Sequence, residues 1–471
     1  MVQIDVLPDD VLLEIFDFYI VPVDFHGEKR KTEAWQTLVH VCRRWRYLVF
    51  GSSRLLDLQL FCTPQTPARD TLDVWPALPL ITRGSLISTD TDNVIVALGQ
   101  RNRVRQVLLE LDGWQLEQVL TPMHVSFPEL TDLGLWINDE KIDETPTVTV
   151  IPDSFLGGSA PRLRFLALDS ISFPGLPKLL LSATHLVYLH LWDIPHSGYF
   201  SPEAIVASLS TLLSLEILSL HFQSPQSRPD QGNRHPPPSK RSVLPALRRF
   251  NFTGVTEYLE ELVSRIDTPQ LSYANITFFN QIDFHCPRLS QFINCTPALR
   301  GRDEAHVQFH GDSSSVTLRH RTSRSDYDNL FINISCEEQD WQVSSIEQIC
   351  NSLPPLSWVE DLYIEHQFSE PVWKDDAIEN TLWLELLHPF ITVKDLYLSK
   401  DLGPGIVAAL QELVGGRITE VLPSLQNIFM EGLEPSGLFQ EKIEQLIASR
   451  RLSDRPIVIS VWDKNSNMKT T

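Results

Sequence analysis

The sequence predicts an α/β fold, a small helical N-terminal module followed by an irregular repeat solenoid of horseshoe type. Three observations carry this. Short apolar segments of one pattern recur along the chain, helical stretches separate them, and two amphipathic helices precede the first copy. The chain has 471 residues, too many for one simple hydrophobic core and enough for a repeat array. With 42% hydrophobic and 21% charged residues it has the composition of a folded protein.

The recurring segments are "PELTDLGLWI", "PRLRFLALDS", "THLVYLHLWD", "LSLEILSLHF", "PALRRFNFTG" and "PQLSYANITF". Each carries apolar residues at i, i+3 and i+5, starting at Leu130, Leu163, Leu186, Leu215, Leu247 and Leu271, at intervals of 33, 23, 29, 32 and 24 residues. Looser copies follow at Val359-Leu362-Ile364, Val393-Leu396-Leu398 and Leu425-Ile428-Met430, and earlier ones at Leu55-Leu58-Leu60 and Val104-Val107-Leu109. In L-x-x-L-x-L the last two apolar residues share one face of a short strand, and the first turns inward from the preceding loop. One such unit cannot bury its leucines; stacked neighbours make a continuous core. This is the leucine-rich-repeat pattern.

Between the strands, helices are expected at Asp92–Gln100, Trp114–Met123, Ser201–Leu213, Glu257–Ile266, Asp376–Leu387, Gly405–Val414 and Leu438–Ser449. "SPEAIV" has the Ser cap and following Pro that open a helix, and "LVGG" has the glycines that stop one. Two stretches break the rhythm. Residues 224–242 are rich in Pro and Ser and read as an exposed loop, an insertion or a recognition motif. Residues at about 305–336 read as antiparallel strands with a turn at "GDSSS". The expected domains are thus 1–50, 51–462 and a tail, 463–471.

A formal charge of −21 argues against sequence-independent binding to nucleic acid or anionic lipid. Arg101, Arg103 and Arg105 alternate as one solvated face of a strand would. No stretch approaches the roughly 18 apolar residues of a membrane span. No basic region precedes an apolar core at the start, so a cytoplasmic or nuclear protein is expected. The six cysteines form no C-x-x-C pair, and no metal or other cofactor is expected. His306 and His310 have i,i+4 spacing, but "HVQFH" alternates as a strand and offers no helical face to a metal. No G-x-S-x-G, phosphate-binding glycine loop or H-E-x-x-H occurs, and no catalytic residue is assigned. The carboxylates Asp375 and Asp376 read as caps of the helix that follows.

At the N-terminus, "VLPDDVLLEIF" places Pro8 where a missing N–H costs nothing, and Asp9 and Asp10 at the positive end of the helix dipole. "WQTLVHVCRRWRYLVF" reads as a second helix with Leu38, Val41, Cys42, Trp45 and Leu48 on its apolar side. On pattern alone the pair fits a solenoid cap and a docking module equally well.

"LPDDVLLEIF" followed by "HVCRRWRYL" resembles the F-box, over roughly residues 4 to 50, with a loop Val21–Thr32 that lengthens the spacing by about ten residues. The rest, in "PDSFLGGSAPRL", "LLLSATHLVYLHLWDIPHSGY" and "WLELLHPF", resembles the large group of F-box proteins of mushroom-forming fungi. The resemblance implies a substrate adaptor of an SCF-type (Skp–cullin–F-box) ubiquitin ligase. Its F-box would dock on the Skp subunit, and through it a cullin, while the repeats hold a protein target; such an adaptor makes and breaks no bond. Carried over by motif, the Skp-binding residues are Leu7, Pro8, Leu12, Ile15, Phe16, Val41, Cys42 and Trp45. They are shared between an internal core and a docking face, a division the motif leaves open. The other reading is a non-catalytic repeat scaffold or sensor outside any ubiquitin ligase, its helices merely capping the array.

Residues between and just after the final leucines of each copy face away from the core. That places Trp136, His190, Trp192, His221, Tyr363 and Tyr397 either on a target-binding surface or under a neighbouring loop. The acidic balance favours a basic face on the target.

Overall fold

In a computed structural model of the protein, the described residues are 6–19, 34–65, 67–87, 90–138, 150–230, 240–322, 329–354, 356–367, 378–413, 417, 420–432 and 438–462. The chain divides into two compact units, Met1–Leu189 and His190–Thr471. The loop Val21–Thr32, the core of the Pro- and Ser-rich stretch, Asp375 and Asp376, Val414 to Gly416 and the tail 463–471 lie outside the described residues.

In the first unit three helices, α1 (Asp9–Tyr19), α2 (Ala34–Val39) and α3 (Arg43–Gly51), come before any strand. Strand and helix then alternate through β1 (Leu60–Cys62), α4 (Ala68–Val74), β2 (Leu80–Ser85), α5 (Asp92–Leu98), β3 (Val104–Leu111) and α6 (Gly113–Leu120). β4 (Asp132–Ile137), β5 (Phe165–Asp169) and α7 (Leu176–Leu180) follow, and β6 (Tyr188–Ile194) leads into the second unit. Each of β1 to β4 pairs parallel with the next. That register puts Val107, Leu133 and Leu166 side by side, so successive copies share one core.

The second unit holds α8 (Pro202–Leu209), β7 (Ile217–Phe222), β8 (Ser242–Val243), β9 (Arg249–Gly254), α9 (Thr256–Val263), β10 (Ile266–Asp267), β11 (Tyr273–Phe278) and α10 (Pro287–Cys295). After these come β12 (Glu304–Phe309), β13 (Ser313–Arg319), β14 (Leu330–Ser335) and α11 (Gln339–Ser352). The last elements are β15 (Asp361–His366), α12 (Asn380–Leu387), β16 (Asp395–Leu398), α13 (Gly403–Gln411), β17 (Asn427–Glu431), α14 (Leu438–Leu452) and β18 (Val458–Trp462). The main ladder runs β7-β9-β11-β14-β13-β12-β15-β16-β17-β18. Among the described strands of this ladder only β13 is antiparallel, to β12 and to β14, so the expected β-rich insertion stands within the sheet itself. Because β13 reverses direction, β14 stays parallel to β11 and β12 to β15, and the repeat resumes without a break.

The six repeats from Leu130 and the three later copies have every i, i+3 and i+5 residue buried. Full burial of each such side chain is worth about 1.5–3 kcal/mol. Among the early copies Val104, Val107 and Leu109 are buried, but Leu55 is 69% exposed. This copy lacks its first inward residue: Leu58 and Leu60 face the core, and Leu55 lies in the turns after α3. The helix at Trp35 is also corrected. It breaks at His40–Cys42 into α2 and α3, because Cys42 is extended and its Sγ caps α3 by accepting the Trp45 N–H at 3.5 Å. The arginine alternation is tied down: Arg103 donates to the Leu78 carbonyl at 3.0 Å, and Arg105 pairs with Asp57 at 2.6 Å.

Candidate functional site

Two surfaces collect the singled-out residues, one on the helices of the first unit and one on the strand face of the second. On the helices, Leu12 and Phe16 of α1 are fully buried, and the Phe16 ring lies 4.8 Å from that of Trp45 in α3. Leu38, Val39, Leu48 and Val49 complete this core. Arg44 locks it from outside, donating to the Leu7 carbonyl and pairing with Asp9, each at 2.6 Å.

The eight motif residues therefore separate. Leu12, Phe16 and Trp45 face inward, Leu7 and Cys42 are half-buried, and Pro8, Ile15 and Val41 are exposed. Phe18, 92% exposed, and Tyr47, 80% exposed, add large rings to the uncovered side; sequence reasoning missed both. Ile15 and Phe18, three residues apart on α1, stand on one side of that helix, and exposed apolar patches mark interaction sites. Trp35 of α2 points the other way. It is buried edge-on against Trp75 at 5.1 Å, and its indole N–H donates to the Gln59 carbonyl at 3.1 Å, just before β1.

Of the proposed target-binding residues, all six are half-buried. In the first unit the Trp136 ring folds back over Gly134 on its own strand, where any Cβ would meet it. That explains the glycine in "DLGLW": it makes room for an indole on the strand face.

In the second unit the other five fall into two groups. His190 stacks on Trp192 with ring centroids 5.0 Å apart, and its Nδ1 is 3.1 Å from Ser219 Oγ. Asn251 donates to the same oxygen at 2.9 Å, and Thr253 Oγ1 is 3.2 Å from His221 Nδ1. Burial and the neighbouring His221 push the His190 pKa down to about 4. Burial lowers that of His221 as well, against the pull of Asp193. Both imidazoles are therefore neutral at pH 7.

Tyr363 and Tyr397 belong to a ladder of rings. Register aligns His306, Tyr363, Tyr397 and Phe429 on β12, β15, β16 and β17. Their centroids are 4.3, 4.1 and 4.6 Å apart, with planes within 11° of parallel. Trp462 of β18 reaches the edges of both tyrosines, at 5.8 and 5.4 Å. Burial raises the pKa of each tyrosine, so both remain phenols. Phe429 was legible in the sequence, since it stands between Ile428 and Met430 as Tyr397 stands between Leu396 and Leu398. His306 was not, because its register passes through the antiparallel insertion.

Two residues before each ring lie Glu304, Asp361 and Asp395, also in register. Burial raises the Glu304 pKa, but hydrogen bonding from His306 and the Arg319 charge outweigh it, leaving the carboxyl below its ordinary value. Arg319 reaches Glu304 at 2.5 Å, and Arg321 pairs with Asp361.

The geometry defines a class, an α/β repeat array of parallel strands backed by helices, with a helical module in the first unit. No family model matches the chain, and no curated protein matches it. Among solved structures it is similar to LegL7, a leucine-rich repeat-containing protein from Legionella pneumophila, at 14% identity and a TM-score of 0.27, over 82% of this chain and 97% of that one. It is also similar to a chain of the Rad7 and Elc1 complex in yeast, at 12% identity and a TM-score of 0.27, over 90% of this chain and 88% of that one. At these scores the class rests on the strand registers and the buried repeat positions. Among the described residues, no helix is long and apolar enough to cross a membrane.

Proposed function

We propose that the protein is a non-catalytic substrate-recognition adaptor of an SCF-type ubiquitin ligase, working in the cytoplasm or nucleus. Its helical module docks on the Skp subunit, and through it a cullin, and its strand face holds a protein target. It accelerates ubiquitin transfer by proximity, holding a target lysine near the charged conjugating enzyme. The observation that carries this reading is the division within α1 and α3. Leu12, Phe16 and Trp45 belong to an internal core, while Pro8, Ile15 and Val41 of the same motif remain exposed, as does Phe18. A module that merely capped an array would not need that second apolar side.

Co-purification tests it. The full chain retains a Skp subunit, and the Leu7→Ala/Pro8→Ala double variant loses it with an unchanged melting temperature; retention by the variant overturns the proposal.

The contacts of Trp35 with Trp75 and Gln59 favour the second reading, a scaffold whose helices cap the array. Deleting residues 1–50 separates the two. A pure cap leaves an unfolded remainder, whereas a docking module leaves a folded one of modestly lower stability.

A further inference from the structure

Among the described residues, the carboxylate row beside the ring ladder has more carboxylates than cationic partners. Glu304, Asp361 and Asp395 sit on adjacent strands, whose spacing is about 4.8 Å. Like charges directly opposite one another destabilise a sheet unless something neutralises them. Arg319 serves Glu304 and Arg321 serves Asp361, while Asp395 accepts a neutral amide proton from Asn427 at 2.7 Å. Asp361 is only 3% exposed, yet among the described residues its Oδ1 has no hydrogen-bond partner. Such an atom in a buried carboxylate is costly to leave unpaired. Beside these groups the ring ladder offers half-buried edges and phenol oxygens, a surface on which the aliphatic stem of a long cationic side chain can lie.

We propose that the face carried by β12, β15, β16 and β17 binds an extended cationic peptide segment. An arginine or lysine of that segment pairs with the half-buried carboxylate of Asp395, at the end of the row, and its stem packs along Tyr363 and Tyr397. This rests on the adaptor reading only in supplying a reason for the site; the binding itself does not depend on the helices. A peptide fits better than a free polyamine because the ladder runs across four strands and offers packing surface as well as charge. A polyanion is excluded by the sign of the row and of the whole chain.

The experiment uses the full-length protein and fluorescein-labelled peptides of five Gly-Arg, Gly-Lys or Gly-Glu repeats, followed by fluorescence anisotropy. The arginine and lysine peptides bind, and the glutamate peptide does not. Asp395→Asn, which keeps the bond from Asn427, weakens binding by about tenfold and flattens its salt dependence. Tyr397→Leu weakens it too, whereas Glu117→Gln, at an exposed acid in the first unit, leaves it unchanged. Circular dichroism melts confirm that each variant is folded. Equal binding by wild type and Asp395→Asn overturns the proposal, as does equal loss in Glu117→Gln, binding of the glutamate peptide, or full competition by equimolar spermidine. Skp retention is measured on the same preparations, so failure of the adaptor reading and failure of this site are seen separately.

Discussion

The helical module and the strand face of the second unit expose their candidate recognition residues in opposite ways. On the helices, the core is saturated by Leu12, Phe16 and Trp45, and the leftover apolar side chains stand in water: Ile15 is 43% exposed and Val41 56%. On the strand face no ring stands free. His306, Tyr363, Tyr397 and Phe429 lean on one another, and charge lies alongside them. The first surface offers hydrophobic area and suits one constant, rigid partner. The second offers aligned rings and charge, which confer specificity and salt dependence. On the proposed reading, one chain separates a fixed attachment from a selective one.

The same contrast recurs within the second unit. At β7, β9 and β11 the row of Ser219, Asn251 and Asn275 is polar, and Asn251 donates to Ser219. From β12 onward the corresponding row is aromatic. Asn251 satisfies Ser219 across strands, although the buried Asn275 Oδ1 has no partner among the described residues, whereas the rings stack on one another.

Four changes break or sharpen this comparison, from the largest effect to the smallest. Trp45→Ala empties the module core against Phe16 and costs about 3–5 kcal/mol, read by denaturant unfolding followed with limited proteolysis of residues 6–51. Tyr397→Ala removes two stacking contacts, at 4.1 and 4.6 Å, and costs about 1–3 kcal/mol, read as a fall in the denaturation midpoint. The third concerns pH. His190 is held neutral down to about pH 4, whereas in the unfolded chain it gains a proton near pH 6.5. The unfolded state therefore binds more protons in that window, and its contribution to stability is full above pH 6.5 and falls as the pH drops toward 4. Melting temperatures of wild type and His190→Gln measured from pH 7 to 4 converge if this holds. Ile15→Ala, at an exposed position, shifts stability by no more than about 0.5 kcal/mol yet weakens Skp binding.

Much of the array was legible because its signal is local. A strand two residues deep in leucine shows its buried face without any neighbour, and nine copies did so from Leu130 onward. Leu55 misled because the same three-letter spacing occurs where the chain is still turning out of α3. The break at Cys42 was hidden because Trp35 to Phe50 keeps helical periodicity through a thiol cap that only the backbone reveals. Half of the candidate site was legible as well: Tyr363 and Tyr397 were placed on the outer face by their offset from the leucines. That they stack on each other, and that His306 joins them, depends on register between strands up to 91 residues apart, which no single segment encodes. The division of the docking motif was likewise unreadable, because Leu12 and Ile15 are both apolar helix residues and only packing tells inside from outside.

The most direct test of the central claim is hydrogen–deuterium exchange of the full chain with and without a purified Skp subunit. The expected result is added protection at residues 6–19 and 41–51 and none on β15–β17, unchanged by raising the salt concentration. Protection absent from both helical segments, or confined to the strand face, contradicts it.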